Sequence, residues 1–292
     1  MMNNLKIACI GQLTWDIYPD SRFIGGSSAN VALNCHYLGL DSTLISKTGS
    51  GSNGIQLLSR LKNSGLSTEY IQIDSQHETA IVYVEINENG EPHYICNTDS
   101  AFDYIEYDSN LHDLAHSLDV LYFDILSQRN RVSRTSIQKL VEDAVNALKV
   151  CDLNIRGKPD NAAAYIVQSL RMTNILKINR SELNLLIKIL SSENIFFEHD
   201  PIEKNIHIIM NLYEIDHVIY SHDNTGFSLF TKSDCINFPP VSNQIIDTNG
   251  AGDALVSAYM VGFLNQNSQI EIASHCDQFV SKIVTSEGPN LY

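Results

Sequence analysis

Basic residues are scarce in this chain: 19 Lys and Arg stand against 34 Asp and Glu, for a formal net charge of −15. A basic face is the minimum that nucleic-acid binding requires, so the balance argues against that class of partner. Paired cysteines are missing as well. Cys9, Cys35, Cys96, Cys151, Cys235 and Cys276 form no C-x-x-C pair, which argues against a zinc site or a disulfide framework and for reduced thiols. No apolar run approaches the ~18 residues of a membrane span, and no signal peptide precedes the strand-like Ile7-Ala8-Cys9-Ile10. A cytoplasmic protein with no membrane partner is therefore expected. No G-x-x-x-x-G-K-[ST] occurs, which excludes a Walker-type nucleotide loop, and there is no repeat or low-complexity segment.

What is there is an ordinary globular composition, 43% hydrophobic and 18% charged over 292 residues, enough for one large α/β core with a smaller appendage. Residues 5–11 read as a buried strand, Ala29–Leu38 as a helix closed by Gly39, and Ser42–Lys47 as a strand. A helix from about Ile55 to Asn63 and a strand at Tyr70–Ile73 follow, a βαβ rhythm that predicts a parallel sheet covered by helices. Residues 79–86 and 92–96 break the rhythm: two β-rich arms flank Asn87-Glu88-Asn89-Gly90, which predicts a hairpin. With Trp15–Phe23 it reads as a separate small β-sheet, a lid. The alternation resumes with a strand at Val120–Phe123, a helix over Ser133–Leu148, and strands at Cys151–Ile155, Ile175–Ile178, His217–Tyr220 and Gly226–Phe230.

The most informative segment is Asp247-Thr248-Asn249-Gly250-Ala251-Gly252-Asp253, followed by the apolar run Ala254–Leu264. Glycines ending where a helix begins leave backbone N–H groups pointing outward, with about half a positive charge from aligned peptide dipoles. A helix cap needs one such residue, not this whole string. Asp253 stands in the mouth of that anion site, where an acid would repel phosphate unless it served to abstract a proton. The cluster reads as a phosphoryl-transfer centre.

These residues resemble the D-T-x-G-A-G-D signature of the ribokinase-like (PfkB) carbohydrate kinases. The N-terminal signature of that family is matched by Gly25-Gly26-Ser27-Ser28-Ala29-Asn30-Val31-Ala32, and the resemblance covers essentially the whole chain. Gly11–Asp20, Glu91-Pro92-His93-Tyr94 and Gln128-Arg129 are most similar to the fructokinase branch. The resemblance implies a three-layer Rossmann-like parallel sheet with a small β-sheet lid. Residues 1–11, 35–74 and 108–292 would form the α/β core with the nucleotide site, and 12–34 and 75–107 the lid. It implies ATP-dependent phosphorylation of a primary hydroxyl of a small sugar, fructose first. Asp253 would be the general base, and the N–H groups of Gly250, Ala251, Gly252 and Asp253 would hold charge on the transferred group.

By the same resemblance Asp16, Gly25, Gly26 and Asn30 would lie on the sugar side, and Asn179, Ser221, Asp223, Gly226 and Thr248 on the nucleotide side. Glu182 would organise Mg²⁺ through water, in keeping with an ion that takes few protein ligands. Asp247 would lie near a monovalent cation, K⁺, in relatives that use one. Asp152-x-Asn154-x-Arg156 ends a strand, and Arg156 would either clamp an anion or pair with Asp160 at the surface.

Two other patterns weigh less. Gly49-Ser50-Gly51-Ser52-Asn53-Gly54 is a formal G-x-G-x-x-G with Asp74 beyond it, yet a nicotinamide fold leaves the Asp247–Asp253 string unexplained. His112 and His116 share a helical face at i, i+4 but lack a third ligand, so a solvated face is expected. Three departures from the family stand out: Gln12 for Glu, Asn249 for Thr or Val, and Asp223 for a glycine that lets the backbone approach the nucleotide. The last bears on ATP affinity and nucleotide choice. It also motivates a rival reading, a catalytically weak sensor of sugar or nucleotide. Among acceptors, 2-keto-3-deoxygluconate, ribose or a nucleoside rival fructose, and a homodimer through the lid would cover exposed sheet edges.

Overall fold

The structure, a computed structural model, describes residues 5–86, 92–155, 162–191, 201–222, 226–239 and 245–292. Along the chain come β1 (Lys6–Ile10), β2 (Thr14–Ile17), β3 (Arg22–Gly25), α1 (Ser27–Tyr37), β4 (Asp41–Gly49), α2 (Ser52–Asn63) and β5 (Ile71–Asp74). Next are β6 (Ala80–Ile86), β7 (Pro92–Cys96), α3 (Ser109–Ala115), β8 (Val120–Asp124), α4 (Arg131–Asp143) and β9 (Leu148–Asp152). Then follow α5 (Ala162–Leu170), β10 (Ile175–Asn179), α6 (Arg180–Ser191), α7 (Ile202–Tyr213) and β11 (His217–Ser221). The chain ends with β12 (Phe227–Thr231), β13 (Cys235–Phe238), α8 (Ala251–Leu264) and α9 (Gln269–Val284).

One sheet orders the described strands β13-β12-β11-β10-β9-β8-β1-β4-β5. It is parallel from β11 to β5, and β12 and β13 join antiparallel at one edge. Its strands are short apolar runs buried on both faces, as helix-covered parallel strands must be. The side-chain period of two splits the core. Ile7 and Cys9 of β1 join α1, α2, α8 and α9 in one cluster, while Ala8 and Ile10 join α3 to α7 in the other. The result is the expected three-layer α/β architecture.

A second sheet orders β3-β2-β6-β7. The hairpin expected around residues 87–90 pairs β6 with β7 antiparallel, and Trp15–Phe23 supplies β2 and β3 beside it. Residues 27–34, expected with this lid, instead form most of α1. Ala29, Val31, Ala32 and Leu33 are fully buried in the large core, and the helix packs on β4 and α8.

One helix reads differently from its periodicity. The pattern over Ser133–Leu148 continues past the real end of α4 at Asp143, because Leu148 and Lys149 are taken into pairing with Val120 and Leu121. The following strand accordingly ends at Asp152 rather than Ile155. Beyond it Asn154 sits at φ 28, a left-handed turn that Asn tolerates.

In the parallel sheet β1 lies between β4 and β8, so the connections diverge there and a crevice opens at the strands' C-terminal ends. Residues just beyond β1, β8, β9, β10 and β11 converge on this crevice, and Thr14, Asp16, Val82 and Cys96 of the small sheet face it.

Candidate active site

The crevice is a cavity of about 720 Å³. At its centre is the N-terminus of α8. Gly250 caps the helix at φ 76, and an added Cβ there would lie 2.2 Å from the Pro289 carbonyl oxygen. Only glycine meets both demands. The first helical bond runs from Ala254 N–H to Gly250 O at 2.8 Å, so the N–H groups of Gly252 and Asp253 have no acceptor within the helix. The helix they start is apolar all round and buried from Ala254 to Gly262, which fixes its axis in the core.

Asp253 lines the cavity, held from the first turn of α1. Ser27 Oγ donates to its Oδ1 at 2.6 Å and Asn30 Nδ2 to its Oδ2 at 2.8 Å. Ser27 in turn shares a 2.7 Å hydrogen bond with the Tyr122 hydroxyl. Burial pushes the Asp253 carboxyl up to about 7; the Ser27 and Asn30 bonds oppose this, the Asp152 charge adds to it and Lys177 offsets part. A carboxyl titrating there is suited to take a proton near neutrality.

No sequence motif marks Lys177. It lies on the buried strand β10, with Nζ 3.2 Å from Asp152 Oδ1 and 3.2 Å from where a Gly252 Cβ would be. Burial alone would lower its pKa, but the charges of Asp152, Glu182 and Asp253 outweigh it and hold the ammonium above its ordinary range. The signal was available: a lysine amid Ile175-Leu176-x-Ile178 in a core strand needs a partner or a task.

Asn179 ends β10 and lines the cavity. Its Oδ1 accepts from Glu182 N–H at 2.8 Å, and Glu182 Oε2 accepts from Asn179 N–H at 2.9 Å. The pair is a capping box that starts α6, and Glu182 lies buried behind the cavity wall. Among the described residues no group of three or more His, Cys, Asp or Glu could grip a metal ion. An Mg²⁺ arriving with a nucleotide would bring phosphate and water ligands and need few from the protein, and Asp152 and Asn179 are the residues lining the cavity that would hold it.

On the small-sheet side Asp16 is buried. Thr14 Oγ1 donates to its Oδ1 at 2.8 Å and Asn249 Nδ2 to its Oδ2 at 2.9 Å. Burial raises Asp16 to about 6, the Asn249 and Thr14 bonds resist the shift, and the Asp247 charge adds to it. Gly25 does not line the cavity but makes room for this carboxylate, since a Cβ there would meet Asp16 Oδ1 at 2.0 Å. Gly26 lines it at φ 93, over the Gln12 carbonyl. Behind them Gln12 Nε2 donates to the buried Asp124 at 2.9 Å. A Glu at position 12 would set two carboxyls face to face. Arg129 also lines the cavity, but Nε and Nη2 are both spent on Asp103 at 2.7 Å.

Asp247 stands outside the cavity lining. Its carboxylate accepts from Tyr18 OH at 2.6 Å, Asn249 N–H at 2.9 Å and Gly288 N–H at 3.0 Å. Three donors on one carboxylate make it a hydrogen-bonded brace joining Tyr18, the loop before α8 and Gly288.

Ser221, Gly226 and Thr248 line the far end with Phe227, Ile245, Leu255, Val280 and Val284, a largely apolar slot. Arg156 and Asp223 lie outside the described residues. His112 and His116 stack edge to face at 4.6 Å, and His112 Nδ1 lies 3.1 Å from Asp143, as befits a helix surface. Gly49 and Gly54 sit at the β4–α2 connection, away from the cavity.

Against this geometry the comparisons are informative. The profile of the pfkB family carbohydrate kinase matches residues 7–290. The chain belongs to that family. It is a sugar kinase, and no helix among its described residues is long and apolar enough to cross a membrane. It is 25% identical to fructokinase-2 of Oryza sativa subsp. japonica over 281 residues, covering 90% of this chain and 81% of that protein. The fold is similar to the uncharacterized sugar kinase PH1459 of Pyrococcus horikoshii, solved in complex with ATP. There the TM-score is 0.81 and identity 21%, over 97% of this chain and 93% of that one. Aminoimidazole riboside kinase of Salmonella enterica, solved with aminoimidazole riboside and an ATP analogue, gives a TM-score of 0.78 at 20% identity over 97% and 95%.

Proposed function

We propose that the chain transfers the γ-phosphoryl group of ATP to a primary hydroxyl of a small sugar, fructose first. The observation that carries this reading is Asp253, a carboxyl raised to about 7, fixed by Ser27 and Asn30 at the mouth of a helix N-terminus. The sugar lies on the Asp16 side, where the carboxylate oxygens already hold Thr14 and Asn249 and keep lone pairs for hydroxyl donors. Asp253 accepts the proton of the attacking hydroxyl. The sugar oxygen bonds to the γ-phosphorus in line as the bond to the β-phosphate oxygen breaks, and ADP leaves.

Charge on the group in flight falls on the N–H groups of Gly252 and Asp253 and on Lys177, donors fixed before the reaction begins. Bound Mg²⁺ would neutralise phosphate charge beside Asn179 and Asp152. The adenine fits the apolar slot of Phe227, Leu255, Val280 and Val284. Fructose leads because the fructokinase-like segments and the rice fructokinase point the same way; the riboside kinase of similar fold keeps ribosides in the panel. An ADP-release assay over fructose, ribose, 2-keto-3-deoxygluconate and nucleosides is the test. Fructose should give the highest kcat/KM, and absence of ADP release with every sugar rejects the reading.

A further inference from the structure

From the glycine-rich loop the Asn249 side chain reaches across to the small sheet. Its Nδ2 donates to Asp16 Oδ2 at 2.9 Å and to the Tyr18 hydroxyl at 3.1 Å. The Tyr18 hydroxyl donates to Asp247 Oδ2 at 2.6 Å, and Asp247 Oδ1 accepts from the Asn249 backbone N–H at 2.9 Å. The bonds close a ring: Asn249 side chain, Tyr18, Asp247, Asn249 backbone. Asp16 hangs from it, and Gly288 N–H donates to Asp247 Oδ2 at 3.0 Å. One residue further on, Gly250 holds the left-handed conformation that aims the N-terminus of α8.

We infer that Asn249 is a positioning residue that couples acceptor binding at Asp16 to the loop that receives the phosphoryl group. The inference rests on the kinase reading above. An acceptor hydroxyl on Asp16 presses on a carboxylate whose second oxygen is held by Asn249. Any shift of that amide moves the backbone one bond from Gly250. Gly250 has no slack, because its φ of 76 and the Pro289 carbonyl confine it. The small sheet and the loop therefore move together or not at all. A Val at this position would keep the backbone bond to Asp247 and lose both amide contacts. Asp16 would then be held by Thr14 alone among its described side-chain donors.

The test measures the affinity of a non-hydrolysable ATP analogue by calorimetry, with and without the sugar that turns over fastest. In the unmutated enzyme the sugar should tighten the analogue by a factor within the usual range of about 5–150. Asn249→Val should bind the analogue alone within about twofold of the parent and abolish most of that factor. In turnover it should lower kcat at saturating sugar about tenfold, which a loss of uniform binding would not do. Tyr18→Phe, which cuts the ring but spares the Asn249–Asp16 bond, should give a smaller loss of the same kind and serves if Asn249→Val fails to fold. An unchanged sugar-dependent factor in a folded variant overturns the coupling and leaves the kinase reading intact. If the unmutated enzyme phosphorylates no sugar, the kinase reading falls and the coupling with it.

Discussion

The two ends of the cavity are built on opposite plans. At the acceptor end nearly every polar atom is engaged: Asp16, Asp253, Asp124 and Asp247 each accept two or more hydrogen bonds, most from residues far along the chain. At the other end Phe227, Leu255, Val280 and Val284 offer shape and little else. On the proposed function the difference follows from what each end would handle. A proton and a phosphoryl group must be met by charges already in place, since reorienting donors during the reaction would cost what the site is meant to supply. A planar base needs a dry slot, where contact area matters more than direction.

The largest effect should come from the acceptor end. Asp253→Asn keeps the shape and removes the proton acceptor, so kcat should fall about 10²–10⁴-fold while the KM for nucleotide barely moves. Retention of parental turnover in that variant would remove Asp253 from the chemistry. Next is Lys177→Met, which strands Asp152 in a buried position without its cation. Urea unfolding should register a loss of about 3–5 kcal/mol. A variant as stable as the parent would mean the ammonium is not paired as described. Gly250→Ala should cost about 1–2 kcal/mol for the left-handed backbone, and more as the methyl meets Pro289. Turnover should drop with it.

pH separates the two ends again. Because the Asp253 carboxyl is raised to about 7, kcat/KM should fall toward tenfold per unit below that value. Stability runs the other way. A carboxyl raised on folding contributes stability below about 4 that is lost as pH climbs through about 7. Asp253→Asn, neutral throughout, should therefore gain in Tm over the parent between pH 5 and 8. A constant difference across that range contradicts the buried-charge account. The smallest effect belongs to the apolar slot. Val280→Ala should weaken nucleotide binding by about 1 kcal/mol, a several-fold rise in its KM, and leave the sugar KM alone. Equal changes in both constants would erase the contrast drawn above.

Much of this was legible along the chain. Asp247–Asp253 announces itself because a tight turn and the helix it starts are local events, encoded by glycines within one turn of each other. Gly25-Gly26-Ser27-Ser28 likewise marks the start of α1, whose Ser27 and Asn30 then hold Asp253. The strand positions followed from apolar runs, and the hairpin from its turn. The overrun of α4 into β9 shows the limit: Val145, Ala147 and Leu148 continue a helical period, and only pairing with β8 decides otherwise. Glu182 shows another, since a spacing that suits an ion also suits a capping box, and it is the box that the geometry forms.

The sequence by itself determined the layers, the glycine turn and the family, because each depends on periodicity or on residues adjacent in the chain. Tertiary structure alone decided which donors face which carboxylates. Asn249 reaches Asp16 across 233 positions and Ser27 reaches Asp253 across 226. A hydrogen bond needs its partners within about 3 Å and properly aimed, a condition no linear spacing expresses until the sheet and its helices have packed.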